Sequence, residues 1–191
     1  HAGNGALLAE YSSEKRLFVP VEAIPLRLIH AFISAEDKAF YNHFGIDLRA
    51  LARAVATNIA NYGKGRRLVG ASTITQQVTK NFLLTNEVSI DRKIKEAILS
   101  LRMERAFSKD QILALYLNEI YLGRGSYGVA AAALNYFDKS LGQLELPEIA
   151  YLAALPKAPN NYHPIRNLRA ATIRRNWVLD EMQQNGYISQ N

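Results

Sequence analysis

The chain has 191 residues, 49% of them hydrophobic, with a formal net charge of +6 and a pI near 9.5. That length and apolar content suffice for one domain with a sizeable core and argue against disorder, while the charge favours an anionic partner: nucleic acid, an acidic membrane surface, or a phosphorylated or carboxylated substrate. There is no cysteine and the four His residues are scattered, which excludes a disulfide framework, a thiolate metal site and a zinc-ligand spacing.

Leu7 to Ser12 and Arg16 to Val21 carry apolar and β-branched residues around a polar Ser13-Glu14-Lys15, the pattern of a short hairpin or two extended arms. From Pro25, suited to a first helical position, Leu28, Ile29, Phe32 and Ile33 recur with helical spacing. Glu36 follows Ile33, Phe32 and Ile29 by three, four and seven residues, so its carboxylate leaves from the apolar stripe if the helix persists. The plain reading is a helix-end acid turned into water; the sharper one is a general base or acid lining a cleft, its pKa raised by desolvation. Phe40, His43 and Gly45 add an apolar wall, a second titratable group and a chain reversal, more special residues than a solvated helix end needs.

Asp47 can cap a helix with Leu48, Leu51, Ala52, Val55 and Ile59 on one face, ending near Tyr62-Gly63. Gly63 to Gly70 holds three glycines and three cations and reads as a loop, and Asn61 to Gly70 is expected to act as a flap that stays loose until an anion arrives. Thr73 to Leu84 is the next helix, with Ile74, Val78 and Phe82 apolar and Thr73-Ile-Thr-Gln76 a capping box. Thr73, Gln77 and Lys80 share a stripe with Gln76 beside it, either an ordinary solvated face or a row of donors for phosphate and sugar oxygens. Asp91 to Phe107 places Ile94, Ala97, Ile98 and Leu101 on one stripe, and Arg92 faces Glu96 four residues on. In isolation that pair reads as a surface ion pair worth ~0.3 to 0.5 kcal/mol.

Ser108-Lys-Asp-Gln111 is a second capping box, opening Ile112 to Leu122, after which Gly123 and Gly125 break the chain. Val129 to Phe137 is an alanine-rich helix, Pro147 can start another through Leu155, and Pro156, Pro159 and Pro164 predict an extended segment. Asn167 can cap the last helix, whose face includes Ile173, Trp177 and Met182 and which stops at Asn185-Gly186. The longest apolar run, Ile149 to Leu155, is far below the ~18 residues of a membrane span. The expected fold is a single, nearly all-α domain.

Two carboxylates with cations suit glycosyl transfer from a phosphate-linked sugar, in which a base activates the incoming hydroxyl while cations hold the departing pyrophosphate. The residues concerned fall in five segments: Glu36-Asp37-xx-Phe40-xx-His43-x-Gly45; Gly70 to Asn81; Arg92-Lys93-xx-Glu96; Ile112 to Asn118; and Arg124 to Lys139. In these the chain resembles the peptidoglycan glycosyltransferase domain, glycosyltransferase family 51, of class A penicillin-binding proteins and monofunctional transglycosylases. The five segments occur in the family's order, and the resemblance covers residues 20 to 188.

The resemblance implies a mostly α, lysozyme-like two-lobed domain over residues 25–191, with residues 1–24 a short extended arm following a membrane anchor that this sequence does not include. It implies polymerisation of lipid II at the extracytoplasmic, periplasmic-side face of the bacterial cytoplasmic membrane. Glu36 would deprotonate the acceptor 4-hydroxyl, which attacks the anomeric carbon with inversion. Lys80 and Arg92, with Lys93 in the same motif, would neutralise the pyrophosphate, and Ser72, Thr73, Gln76, Gln77 and Asn81 would fix sugar and phosphate oxygens. Glu96 matches the family's second carboxylate, which would organise the cations, hold a divalent cation such as Mg or Mn, or assist the leaving group; no cofactor is implied as obligatory. Asp37, Phe40 and His43 would shape the Glu36 pocket, Asn118 and Arg124 would have mixed structural and binding roles, and Lys157 would touch the substrate.

The implied partners are lipid II and the lipid-linked glycan chain, the membrane surface, and a transpeptidase domain or other cell-wall synthesis proteins, with no nucleic acid. Ser12-Ser-Glu-Lys15 fits Ser-x-x-Lys formally but lacks the companion motifs, so no transpeptidase activity is expected. Two other classes compete. A lysozyme-like glycan cleaver shares the fold and a catalytic Glu but needs no cationic pyrophosphate site. A basic helical nucleic-acid binder rests on net charge alone, without a helix-turn-helix or RNA-binding signature.

Overall fold

The computed structural model describes residues 15–65, 68–83 and 89–189, and it is mostly helical. The main core forms around α1 (Leu26–Glu36), which follows Pro25 as its N-cap and buries Leu28, Ile29, Phe32 and Ile33. This stripe packs on α7 (Leu146–Ala154) and α8 (Leu168–Gln184), so the first helix of the domain is completed by the last two. α5 (Lys109–Glu119) and the alanine-rich α6 (Val129–Phe137) close the same core through Ile112, Leu113, Leu117, Ala132 and Ala133. A second group consists of α3 (Ile74–Leu83) on α4 (Ile90–Ala106), and both also touch α5, which is therefore shared between the two lobes.

Local signals place the helix starts. The Asp47 side chain accepts from Ala50 N at 2.9 Å and opens α2 (Leu48–Ala60). Thr73 and Gln76 make a reciprocal capping box at 3.0 and 3.1 Å, and Ser108 and Gln111 make another at 2.8 and 3.2 Å. α8 ends as expected at Asn185-Gly186, where Gly186 takes φ +75° and Tyr187 N closes back on Met182 O.

The orientation of two helices departs from the expectation. On α4 the residues turned inward are Glu96 and Ser100, while Ile94, Ile98 and Leu101 face outward. The face of α3 that meets α4 is itself polar: Thr79 Oγ1 lies 3.1 Å from Ser100 Oγ, and Thr75 donates to Glu104 at 2.6 Å. Polar interlock, not apolar burial, joins α3 to α4. α2 likewise buries only Ala54 and exposes Leu48, Leu51, Val55 and Ile59. The Gly63–Gly70 loop is turn and coil at its described positions, and its far end is fastened to α2 by a double hydrogen bond of Val69 with Asn58, at 2.7 and 3.0 Å. Arg66 and Arg67 lie outside the described residues.

The amino-terminal segment forms no local hairpin in its described part. β1 (Lys15–Arg16) pairs in parallel with β2 (Ser126–Tyr127), Val21–Ala23 is a 3-10 turn, and residues 1–14 lie outside the described residues. Asn118, buried at the end of α5, exchanges two bonds with the Val19 backbone at 2.7 and 2.8 Å and so straps the segment to the domain. The proline-rich stretch after α7 is also not extended. It runs as successive turns, with Ala158 N bonding to Leu155 O and Asn161 N to Ala158 O.

Gly128, which precedes α6, sits at φ +79°, and a Cβ there would lie 2.4 Å from Asn118 O. Both the left-handed backbone and the close approach require glycine. Gly128→Ala is expected to cost about 2 kcal/mol of stability, read by urea unfolding; a variant as stable as its parent would show that the α5–α6 contact can relax.

Candidate active site

Glu36 is the last residue of α1 and points from the core stripe into a pocket of about 260 Å³ lined by Asp37, Arg53, Ser72, Thr73 and Trp177. Its residue surface is partly exposed, but burial of the carboxyl pushes its pKa above the usual range. Opposing that, Gln77 Nε2 donates to Oε2 at 2.9 Å, and the charges of Arg174 and Lys157 favour the carboxylate; neighbouring Asp37 adds to the upward push. A carboxylate held by one donor and raised by desolvation is a suitable proton acceptor near neutral pH.

Asp37, His43 and Thr73 build the wall around it. Asp37 Oδ2 accepts from Ile74 N at 3.0 Å, placing a carboxylate on the first N–H of α3, where the helix dipole favours negative charge. His43 Nε2 is 3.0 Å from both Asp37 oxygens, and Gly45 N donates to Nδ1 at 3.2 Å, so the Nε2–H donates a hydrogen bond to the Asp37 carboxylate. Thr73 Oγ1 donates to Gly45 O at 2.6 Å. Gly45 is thus gripped at both backbone groups, and at φ +89° it lies against the Ser100 backbone, where a Cβ would come within 2.9 Å. Phe40 is fully buried behind His43, with Lys109 Nζ 4.5 Å from its ring centroid. Asp37, Phe40, His43 and Thr73 therefore orient the pocket from within.

The second carboxylate is no surface ion pair. Glu96 is almost wholly buried, accepting from Arg92 Nη1 at 3.2 Å and from Lys93 Nζ at 2.6 Å. Lys93 Nζ also reaches Ser72 Oγ at 3.3 Å, which brings this cluster to the wall of the Glu36 pocket. Two cations around one carboxylate leave a net positive charge, and Arg92 Nε is buried without a hydrogen-bond partner among the described residues. An excess of donors and positive charge fits an anionic group. It does not fit a divalent cation, since each Glu96 oxygen already faces a protonated side chain that would repel the metal.

The remaining predicted residues fall elsewhere. Gln76 is spent in the α3 capping box. Lys80 and Asn81, a turn beyond Gln77, open on a separate hollow of about 600 Å³ with Arg16, Glu119, Tyr121 and Tyr127. Lys157 is exposed but near enough for its charge to act on Glu36. Asn118 is occupied by the Val19 strap, and Arg124, at φ +52°, lies over Tyr136 at 5.2 Å. Sequence reasoning missed Arg174, which α8 buries beside this pocket. Its spacing of three and four residues from Ala171 and Val178 was the available signal, the same one that singled out Glu36.

A profile of the family described as "Transglycosylase" matches residues 4–183. Penicillin-binding protein 1A of Rickettsia felis is 57% identical over 189 residues, covering 99% of this chain and 24% of that protein. Penicillin-binding protein 1A of Aquifex aeolicus is 50% identical over 97% of this chain and 25% of its own length. The crystal structure of penicillin-binding protein 1A from Haemophilus influenzae superposes with a TM-score of 0.55 at 30% identity, over 98% of this chain and 18% of that one. The chain thus spans about a quarter of the length of the curated relatives it matches.

Proposed function

Because the chain belongs to the transglycosylase family, we propose that it polymerises lipid II into glycan strands by inverting transfer, with Glu36 as the base and the Arg92–Lys93 cluster as the anion site. The observation that carries this reading is the Lys93–Ser72 contact, which sets a net positive cluster on the wall of the pocket that holds a raised-pKa carboxylate. Gln77 fixes one oxygen of Glu36 and leaves the other to take the proton from the acceptor 4-hydroxyl. As that proton leaves, the hydroxyl oxygen bonds to the donor's anomeric carbon and the bond from that carbon to the pyrophosphate breaks, with the electron pair going to the phosphate oxygen. Arg92 and Lys93 then stabilise charge that exists only as the bond breaks, which is where binding accelerates a reaction. Lys80 and Asn81 border the second hollow, suited to hold the sugar chain or its phosphates.

A glycan-cleaving enzyme has no use for the cationic cluster, and this separates the two readings. Incubation with labelled lipid II in detergent, with products separated by size, tests the proposal: long strands support it, and unchanged lipid II overturns it.

The reading extends to a membrane surface, an extracytoplasmic location and a transpeptidase domain elsewhere in a longer protein. No helix among the described residues is long and apolar enough to cross a membrane. Leu48, Val55, Ile59, Tyr62 and Leu68 are nonetheless exposed along α2 and the loop after it, which also carries exposed Lys64. We expect the chain to sediment with liposomes, more with anionic than with neutral ones. Equal sedimentation would refute the electrostatic part, and none at all would refute the surface.

A further inference from the structure

We propose that Arg174 is a positioning residue for Glu36, a fixed buried cation that holds the base as a carboxylate until the acceptor hydroxyl arrives. This rests on the reading of Glu36 as the base. α8 buries Arg174 on the stripe of Ala171, Val178 and Met182, where an arginine is costly unless opposite charge faces it. Its guanidinium lies 3.7 Å from the ring centroid of Trp177, a residue that lines the Glu36 pocket, and this stacking fixes where the charge sits. Arg174 Nε is buried with no hydrogen-bond partner among the described residues. The side chain is therefore not built as a fully satisfied structural ion pair.

The charged and titratable groups around the two residues support this assignment. Arg174 feels Glu36 from the end of α1, Tyr162 from the turns after α7, and Glu181 two turns along α8. Glu181 also pairs with Lys38, so its charge is divided between two cations and competes only in part with Glu36 for Arg174. Glu36 meets Gln77 from α3, Arg174 from α8, Lys157 from the turns and Asp37 beside it. From α5, Tyr116 is fully buried, and its hydroxyl is pushed far up by burial and by both carboxylates, so it stays neutral. Lys157 is exposed and its field is screened by water and salt, whereas that of Arg174, held against Trp177, is screened less. An arginine cannot accept the proton that Glu36 releases, so its role is confined to the charge it holds.

The test is the pH profile of kcat/KM for lipid II polymerisation, whose acid limb reports ionisation of the base in the free enzyme. Arg174→Met should move that limb upward by about one pH unit, so that activity falls about tenfold below the limb and recovers at higher pH. Arg174→Lys should return the limb most of the way. Glu181→Gln, which frees both Arg174 and Lys38 from a competing carboxylate, should move it downward. A loss of equal size at every pH in Arg174→Met overturns the proposal, as does an unmoved limb. Should the Met variant not fold, Glu181→Gln decides, and an unmoved or raised limb there overturns the proposal. Failure of the parent chain to polymerise, or an active Glu36→Gln, would instead sink the base assignment on which this one stands.

Discussion

Glu36→Gln is expected to abolish polymerisation, by about 10²- to 10⁴-fold, with the fold intact. The amide keeps the shape of the carboxyl, and its carbonyl oxygen can still accept from Gln77, so only the basicity is lost. Stability should be equal to the parent's or higher at neutral pH, and the sign follows from the raised pKa. A carboxyl whose pKa is higher folded than unfolded favours folding while protonated, and loses that contribution as pH rises through the folded pKa. The neutral amide avoids that loss, so its advantage should appear above the folded pKa and vanish below the ordinary range of a glutamate. Product sizing from labelled lipid II and thermal unfolding at acid and neutral pH measure the two effects. Activity above about a tenth of the parent's would remove Glu36 from the base role.

Arg92→Ala should lower turnover by ~10²-fold or more, because it removes a donor aimed at charge that develops only in the transition state. Arg92→Lys should recover part of this, since a point charge cannot imitate the guanidinium fork. The complication is Glu96, which stays buried with Lys93 as its remaining partner. A double-mutant cycle with Glu96→Gln separates the roles. If Arg92 serves the leaving group, its removal should be as damaging in the Glu96→Gln background as in the parent. If it exists only to neutralise Glu96, the second background should absorb the loss, and the anion-site assignment would fall with it.

Much of the architecture could be read before any coordinates because its signals are local. A cap needs only a side chain two or three residues from the N–H it satisfies, so Asp47, Thr73 with Gln76 and Ser108 with Gln111 announce their helices in the sequence. Glu36 was legible for the same reason: periodicity placed it on a buried stripe. What periodicity does not supply is the identity of the neighbour. Ile94, Ile98 and Leu101 form a proper apolar stripe, yet α3 meets α4 with Thr75 and Thr79, so the polar side of α4 turned inward. The partners of Asp37 and Thr73 were hidden likewise, because Ile74 N and Gly45 O reach them by tertiary approach. The pairing of β1 with β2 joins segments more than a hundred residues apart and leaves no local mark.

The packing of α1 against α7 and α8 also sets the order in which the core of this domain can be completed. During synthesis α1 precedes the other helices of the domain, and Leu28, Ile29, Phe32 and Ile33 lack their main partner surface until the chain has grown past residue 146, with α8 completed later still. Everything between is produced while α1 has its apolar side only partly covered, by α5 and α6, a state open to aggregation. Contacts of such long sequence separation make for slow folding, since loop closure must precede the burial that rewards it. A nascent chain halted after α6 would hold Glu36 and every residue of the Arg92–Glu96 cluster, yet lack the wall of α8 that carries Trp177 and Arg174. Within this domain the pocket around Glu36 is therefore complete only once α8 is in place.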